Sequence, residues 1–419
     1  MSATAAALPD PAQLRGIQRR TVWVLSLGQI LGGLAFGATV SLGAVLAADI
    51  SGDEAFSGWA AASVTLGTAV TAVPLAALAR RGGRRPSLAT GMLVAIIGVA
   101  IVIIATGLGN FPFLITGFVL VGAGQAANLQ SRFAAADLAT DASRGRDLSI
   151  VVWATTIGAV LGPNLVGPGE ALGDALGMPA LTGPYLFTIV TQGIGIVLYL
   201  TALRPDPLRL AMRITAHHTA AGRRVAHADH PVPARYAMLA VAGAHGVMVS
   251  VMAMTPVHLI HAGATLEIIG LTISLHIAGM YALSPVFGIL ADRIGRVPTI
   301  LTGQALLVAS LITAALGQTS TPAVTVALIL LGLGWSATTV SGATLLTEAS
   351  AEDRRTRRQG RNDFLMSLVG AVGAIVAGLV LAWIGYGGLA LCALSIVAVV
   401  VFLSPLGRVA HDRVPTAAE

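Results

Sequence analysis

The chain has 419 residues, of which 55% are hydrophobic and 11% charged, with a mean hydropathy of +0.82 and a formal net charge of +6. So apolar a composition excludes a soluble two-domain protein and indicates an integral membrane protein. The basic excess is no sign of a nucleic-acid partner, because all 25 basic residues are Arg and they lie in the polar tails and breaks or, like Arg132, at the end of an apolar run that borders one.

A hydrocarbon core about 30 Å thick needs about 20 apolar residues per helix, and lipid leaves helices as the reading for runs of that length. Residues 1–20 form a polar tail carrying Arg15, Arg19 and Arg20, without the hydrophobic core of a removable signal peptide. Apolar spans then follow at 21–47, 57–79, 87–107, 112–136, 149–169 and 184–203, which make a first half. The longest polar break, 204–235, is read as a linker. A second half holds spans 236–259, 267–291, 298–317, 322–347, 364–386 and 388–406, with a tail from Arg408. The last two spans are joined only at Tyr386, Gly387 and Gly388, which predicts a tight hairpin.

The Arg-bearing breaks alternate with breaks holding acids such as Asp49, Asp53, Glu54, Glu170, Asp174 and Glu267. The positive-inside rule therefore places both termini in the cytoplasm and requires an even number of spans, in agreement with twelve. The single cysteine, Cys392, excludes a disulfide within the chain.

An internal repeat divides the spans six and six. Ala76 to Pro86, A-A-L-A-R-R-G-G-R-R-P, aligns without gaps with Gly288 to Pro298, G-I-L-A-D-R-I-G-R-V-P, 212 positions later. Such a repeat is the mark of a transporter built from two like halves. Here the chain resembles the major facilitator superfamily, whose signature after the second helix is G-x-L-A-D-R-x-G-R-R. The resemblance implies twelve transmembrane helices in two pseudo-symmetric halves, a transporter rather than an enzyme, a monomer, and a gating latch from Gly288, Asp292, Arg293, Gly295 and Arg296. In the first copy Arg80 stands where the family has Asp, which implies a weakened latch or one with another partner. The fifth span, W-A-T-T-I-G-A-V-L-G-P-N-L-V-G-P from Trp153, partly resembles the antiporter signature of drug/proton exchangers, although small residues there also serve close helix packing.

The seventh and eighth spans carry the chemistry. Met248 and Met252 are one turn apart on one helix, and His276 and Met280 repeat that spacing on the next. Met248 lies roughly 18 Å along its span and His276 roughly 13 Å in from the other end, near the midplane, where transporter sites lie. Thioether sulfur suits Cu(I), and an ionisable His at that depth is a functional candidate. Met254, His258 and His261 fall on the opposite face and reach the outer mouth only if Pro256 bends the helix. M-x-x-x-M followed by H-x-x-x-M resembles the CcoA-type copper importers of this superfamily, some of whose relatives are associated with riboflavin.

The expectation is a transporter of a bacterial cytoplasmic membrane importing copper as Cu(I), with no bound cofactor and Met248, Met252, His276 and Met280 as transient ligands. The alternative is a proton-coupled exporter of drugs or a small organic metabolite, or a carrier of a flavin-like substrate. No Asp or Glu falls clearly at the midplane of a span, so His245 or His276 is the candidate for proton coupling. His217, His218, His227 and His230, with Asp229, match no standard metal spacing and read as a solvated linker.

Overall fold

The computed structural model describes residues 9–52, 56, 59–220, 229–264 and 266–408, among which the regular structure is all helical. In chain order the helices are α1 (Pro11–Ser51), α2 (Trp59–Gly82), α3 (Arg84–Leu108), α4 (Phe111–Ala136), α5 (Arg144–Leu161), α6 (Val166–Ala175) and α7 (Pro184–Ala202). There follow α8 (Pro207–Ala220), α9 (Pro231–His261), α10 (Leu266–Tyr281), α11 (Ser284–Ile294), α12 (Arg296–Leu316), α13 (Thr321–Glu348) and α14 (Glu352–Phe402).

Among the described residues, nine helical stretches are long and apolar enough to cross a membrane. One of them, α14, runs for 51 residues and is divided by a single non-helical residue, Gly385, at φ 73°, so it supplies two crossings. The 41-residue α1 supplies another. A twelfth comes from α5, continued through a 3₁₀ turn at Gly162–Leu165 into α6. The count is twelve, an even number as the charge pattern requires. The break between the last two spans falls at Gly385, ahead of the expected Tyr386, because the backbone there needs the positive φ that glycine tolerates.

Helix starts differ from the apolar runs for local reasons. At α1, Asp10 accepts from the Ala12 and Gln13 amides while the Gln13 side chain caps Asp10, with Pro11 in the first turn. This capping box begins the helix ten residues before the apolar run, so Arg15, Arg19 and Arg20 ride on its polar first turns. The expected linker is partly ordered as α8, which buries Leu208, Leu210 and Ala211.

The repeat reappears in the backbone. Gly83 and Gly295, 212 apart, take φ of 93° and 99° and separate α2 from α3 and α11 from α12. A Cβ on Gly91 would lie 2.9 Å from the Ala123 carbonyl, and one on Gly303, again 212 later, 2.8 Å from the Gly334 carbonyl. Both positions set α3 on α4 and α12 on α13 at backbone contact, as small residues do in membranes.

Apolar clusters around Leu25, Met92 and Tyr199 and around Phe118, Val99 and Tyr185 fill the first half, and one around Leu307, Leu328 and Trp335 fills the second. A fourth crosses the seam, packing Phe133, Leu148 and Val152 with Ala237, Val340 and Leu346. Polar ties between the halves gather at the same, arginine-bearing end. They include Arg84 to Gln359 at 2.7 Å, Arg132 to Asp363 at 2.6 Å and Arg144 to Glu348 at 3.4 Å. The halves are therefore closed on each other at the arginine-bearing end.

Candidate functional site

The predicted sulfur and imidazole groups divide between one apolar core and several structural bonds. Met248 and Met280 are buried in a single cluster with Val251, Leu307 and Trp335, and Met252 packs against it half-buried. His276 is fully buried; its Nδ1 lies 2.7 Å from the Leu328 carbonyl on α13, while Nε2 has no partner. Among the described residues no three His, Cys, Asp or Glu side chains converge as metal ligands. Any metal here would thus depend on thioethers.

The opposite face of α9 is tied to its neighbours. His258 stacks on Tyr386 at 4.2 Å with planes 5° apart, and its Nε2 lies 2.7 Å from the Gln318 carbonyl. Met254 is half-buried, and the side chain of His261 falls outside the described residues. The helix continues through Pro256. His258 thus packs the end of α9 against α14.

His245, the other coupling candidate, accepts at Nδ1 from the Trp335 indole N–H at 3.1 Å. Indole nitrogen only donates, so Nδ1 carries no proton, and a protonated His245 would have to give up Trp335. Tyr281 meets the same indole edge-on at 5.8 Å and 84°. Helices α9, α10 and α13 thereby present His245, Tyr281 and Trp335 as one aromatic group. The Arg132 guanidinium is within electrostatic reach of His245 and Tyr281.

Arg132 was not singled out by the sequence, and its partner was missed. Arg132 on α4 is 3% exposed, Asp363 on α14 is fully buried, and they pair across the seam at 2.6 Å. Arg132 Nε and Asp363 Oδ2 have no partner, and Met366 sulfur lies 3.9 Å from the guanidinium. Beside the pair, Ser131 donates to Gln29 on α1 at 2.7 Å, and the Gln29 amide donates to Thr155 on α5 at 3.0 Å. The side-chain amide oxygens of Asn128 and Gln192 are buried without partners. A small cleft lined by Gly32, Phe36, Gly124, Gln125, Thr188 and Gln192 opens there. Gly32 and Gly124 make room for these amides, since a Cβ on Gly124 would lie 2.7 Å from Gln192 Nε2. The seam between the halves thus offers a buried ion pair and an aromatic group, and the first half adds neutral amides. One signal was available: Arg132 falls inside the predicted span 112–136, where an ionisable residue is a functional candidate.

At the arginine-bearing end the repeat builds two unlike latches. Asp292 accepts from the Gly145 and Arg146 amides at the start of α5, at 3.1 and 2.9 Å, and pairs with Arg296 at 2.8 Å. Arg296 also holds Glu348 at 2.6 Å, and Glu348 reaches Arg144. Gly288 lets α11 approach the Gly145 carbonyl and Ser149 on α5. Gly295 supplies the turn, and Arg293 is exposed. In the first copy Arg84, the counterpart of Arg296, pairs with Asp137 at 2.8 Å, a partner the sequence could not name. Arg80, the counterpart of Asp292, is exposed. In the fifth span a Cβ on Gly158 would lie 2.7 Å from Gly33 Cα, so that glycine serves the close packing of α5 on α1.

Of the linker histidines, His227 lies outside the described residues, the side chain of His218 is likewise undescribed, His217 is exposed and His230 half-buried. Asp229 is taken up by Arg358 at 2.6 Å, Arg354 at 2.9 Å and the Ala351 amide at 3.1 Å. Burial alone would push its carboxyl up, but the hydrogen bonds from Arg358, Ala351 and Arg354 hold it below the ordinary carboxylate range. A carboxylate so lowered in the folded protein contributes its stabilisation above the ordinary range and loses it as pH falls through the folded value. Acidification through that range, or Asp229→Asn at neutral pH, is expected to speed hydrogen exchange at the His230 and Ala351 amides. Unchanged protection in the variant would remove the clasp.

Comparison with known proteins fits this architecture. Residues 25–268 and 237–419 match the family model described as Major Facilitator Superfamily. The uncharacterized MFS-type transporter YdeG of Bacillus subtilis is 35% identical over 393 residues, covering 92% of this chain and 91% of its own. The riboflavin transporter RfnT of Brucella anthropi is 28% identical over 403 residues, covering 94% and 98%. Among solved structures, the human organic anion transporter MFSD10 superposes with a TM-score of 0.74 at 16% identity, covering 92% of this chain and 99% of that one.

Proposed function

The chain belongs to the major facilitator superfamily, a family of membrane transporters and not of enzymes, and from that premise we propose that it carries a small polar organic solute with a planar ring, of the flavin kind. The observation that carries this reading is the group of Arg132, Asp363, His245, Tyr281 and Trp335 at the seam, together with the unpartnered amide oxygens of Asn128 and Gln192 within the first half. Aromatic faces take a flat ring, while unpartnered buried amides and a charge pair take its carbonyl, imide or hydroxyl groups. The likeness to a riboflavin transporter over nearly the whole chain supports the same class. Under the positive-inside rule the arginine-bearing end is cytoplasmic, so this state is closed to the cytoplasm and alternates by rocking of the halves.

Import of Cu(I) is the second reading. Its support is the gathering of Met248, Met252 and Met280 in one cluster and the free Nε2 of buried His276.

The two readings separate in proteoliposomes given labelled riboflavin or, under mild reduction, radioactive copper. Riboflavin uptake by the native chain is expected, with Trp335→Ala weakening apparent affinity by about thirtyfold, the scale of losing a buried aromatic anchor. Met252→Leu with Met280→Leu is expected to leave riboflavin uptake nearly unchanged. Copper uptake lost in the methionine variant, with no riboflavin uptake by the native chain, would reverse the order of the readings.

A further inference from the structure

On the seam opposite the Asp292 latch, α2 crosses the first turns of α14 at backbone contact. A Cβ on Gly360 would collide with that of Ala76 and lie 3.3 Å from the Ala72 carbonyl. Arg80 follows Ala76 by one turn, with Arg81 beside it, and Arg357 and Arg361 flank Gly360 on the facing helix. All four arginines are exposed, and Arg80 is within electrostatic reach of the other three.

Among the described residues none of the four is in an ion pair, and the neighbouring acids are engaged elsewhere. Glu352 pairs with Arg355, Asp353 and Asp229 with Arg354, and Asp137 with Arg84, while Asp206 accepts from the Arg85 amide. Like charges from both halves thus face each other where the repeat puts Asp292 on the other seam. Their repulsion opposes the closure that the remaining bonds maintain, so the closed state calls for an anion here.

The surroundings say which anion. Val73 lies two turns before Arg80 on α2, and Leu365 and Leu368 lie one and two turns after Arg361 on α14, all exposed. Apolar side chains exposed on a membrane span face lipid, and they lead directly to the arginines. An anion carried on acyl chains fits both parts, and its phosphate suits bidentate guanidinium bonding.

We propose that Arg80, Arg81, Arg357 and Arg361 bind the phosphate headgroup of an anionic phospholipid, which supplies across the α2–α14 seam the negative charge that Asp292 supplies across the α5–α11 seam. The site is independent of the transported solute.

The test uses the full chain in nanodiscs of phosphatidylcholine with and without phosphatidylglycerol, reading bound lipid by native mass spectrometry and melting temperature. Phosphatidylglycerol is expected to bind and to raise the melting temperature of the native chain. Arg80→Gln with Arg361→Gln should weaken that binding by about fivefold per arginine removed. Arg15→Gln with Arg19→Gln, an equal loss of charge on α1, should retain it. Arg80→Asp, which restores an internal acid, should melt alike in both lipids. The proposal is overturned if the α1 variant loses as much as the seam variant, if the native chain ignores phosphatidylglycerol, or if inorganic phosphate in neutral lipid reproduces the stabilisation.

Discussion

Asp363→Leu is expected to abolish transport and, because it strands the Arg132 charge in a site 3% exposed, to destabilise the protein by about 3–5 kcal/mol. The two consequences have separate causes and can be separated. A double variant, Arg132→Met with Asp363→Leu, removes both charges and fills the site with apolar atoms. Such replacements of buried pairs are often neutral or stabilising, so the double variant should recover most of the lost stability. Transport should not return, because the pair spans the seam between α4 and α14 and must part when the halves rock. Melting in detergent and uptake into proteoliposomes measure the two effects. A double variant that transports like the native chain would reduce the pair to scaffolding, and a single variant of native stability would show that Arg132 finds another partner.

Why this pair escaped the sequence while the fold did not is a matter of range. Apolar runs, arginine sidedness and the repeat at Ala76 and Gly288 are local or periodic, and they suffice for twelve spans in two halves. Arg132 and Asp363 are 231 positions apart. Each was absorbed into the polar break beside it, Asp363 lying one residue outside the predicted span 364–386. Periodicity had a complementary blind spot. It correctly put Met248 and Met252 on one face of α9, but it cannot distinguish a face lining a cavity from one packed on Leu307 and Trp335. For His258 the missing information was tertiary again, since Tyr386 and Gln318 are remote in sequence. The glycine pair Gly91 and Gly303 was present at the repeat interval, yet only the facing carbonyls of Ala123 and Gly334 give it meaning.

Asp292→Ala is expected to open the arginine-bearing end. The native carboxylate receives the Gly145 and Arg146 amides at the N-terminus of α5, where backbone donors lack helical partners and the helix dipole favours negative charge. It also holds Arg296, which in turn holds Glu348 and through it Arg144. Loss of these charge-assisted contacts between the halves should cost the closed state about 3 kcal/mol, roughly a 150-fold shift in the equilibrium between states. The shift is readable without knowing the cargo. In a Cys392→Ser background, a cysteine replacing Ser149, buried on α5 beside Gly288, reports whether the seam is open to a water-soluble maleimide. Labelling should rise by at least about tenfold in Asp292→Ala, since even half of the estimated coupling gives that ratio. Asp292→Asn should fall between the two, because the amide oxygen can still accept one backbone hydrogen bond but carries no charge for Arg296. Equal labelling of all three, with the protein folded, would mean that the seam is held without Asp292, by ties such as Arg132–Asp363, Arg84–Gln359 and Arg144–Glu348.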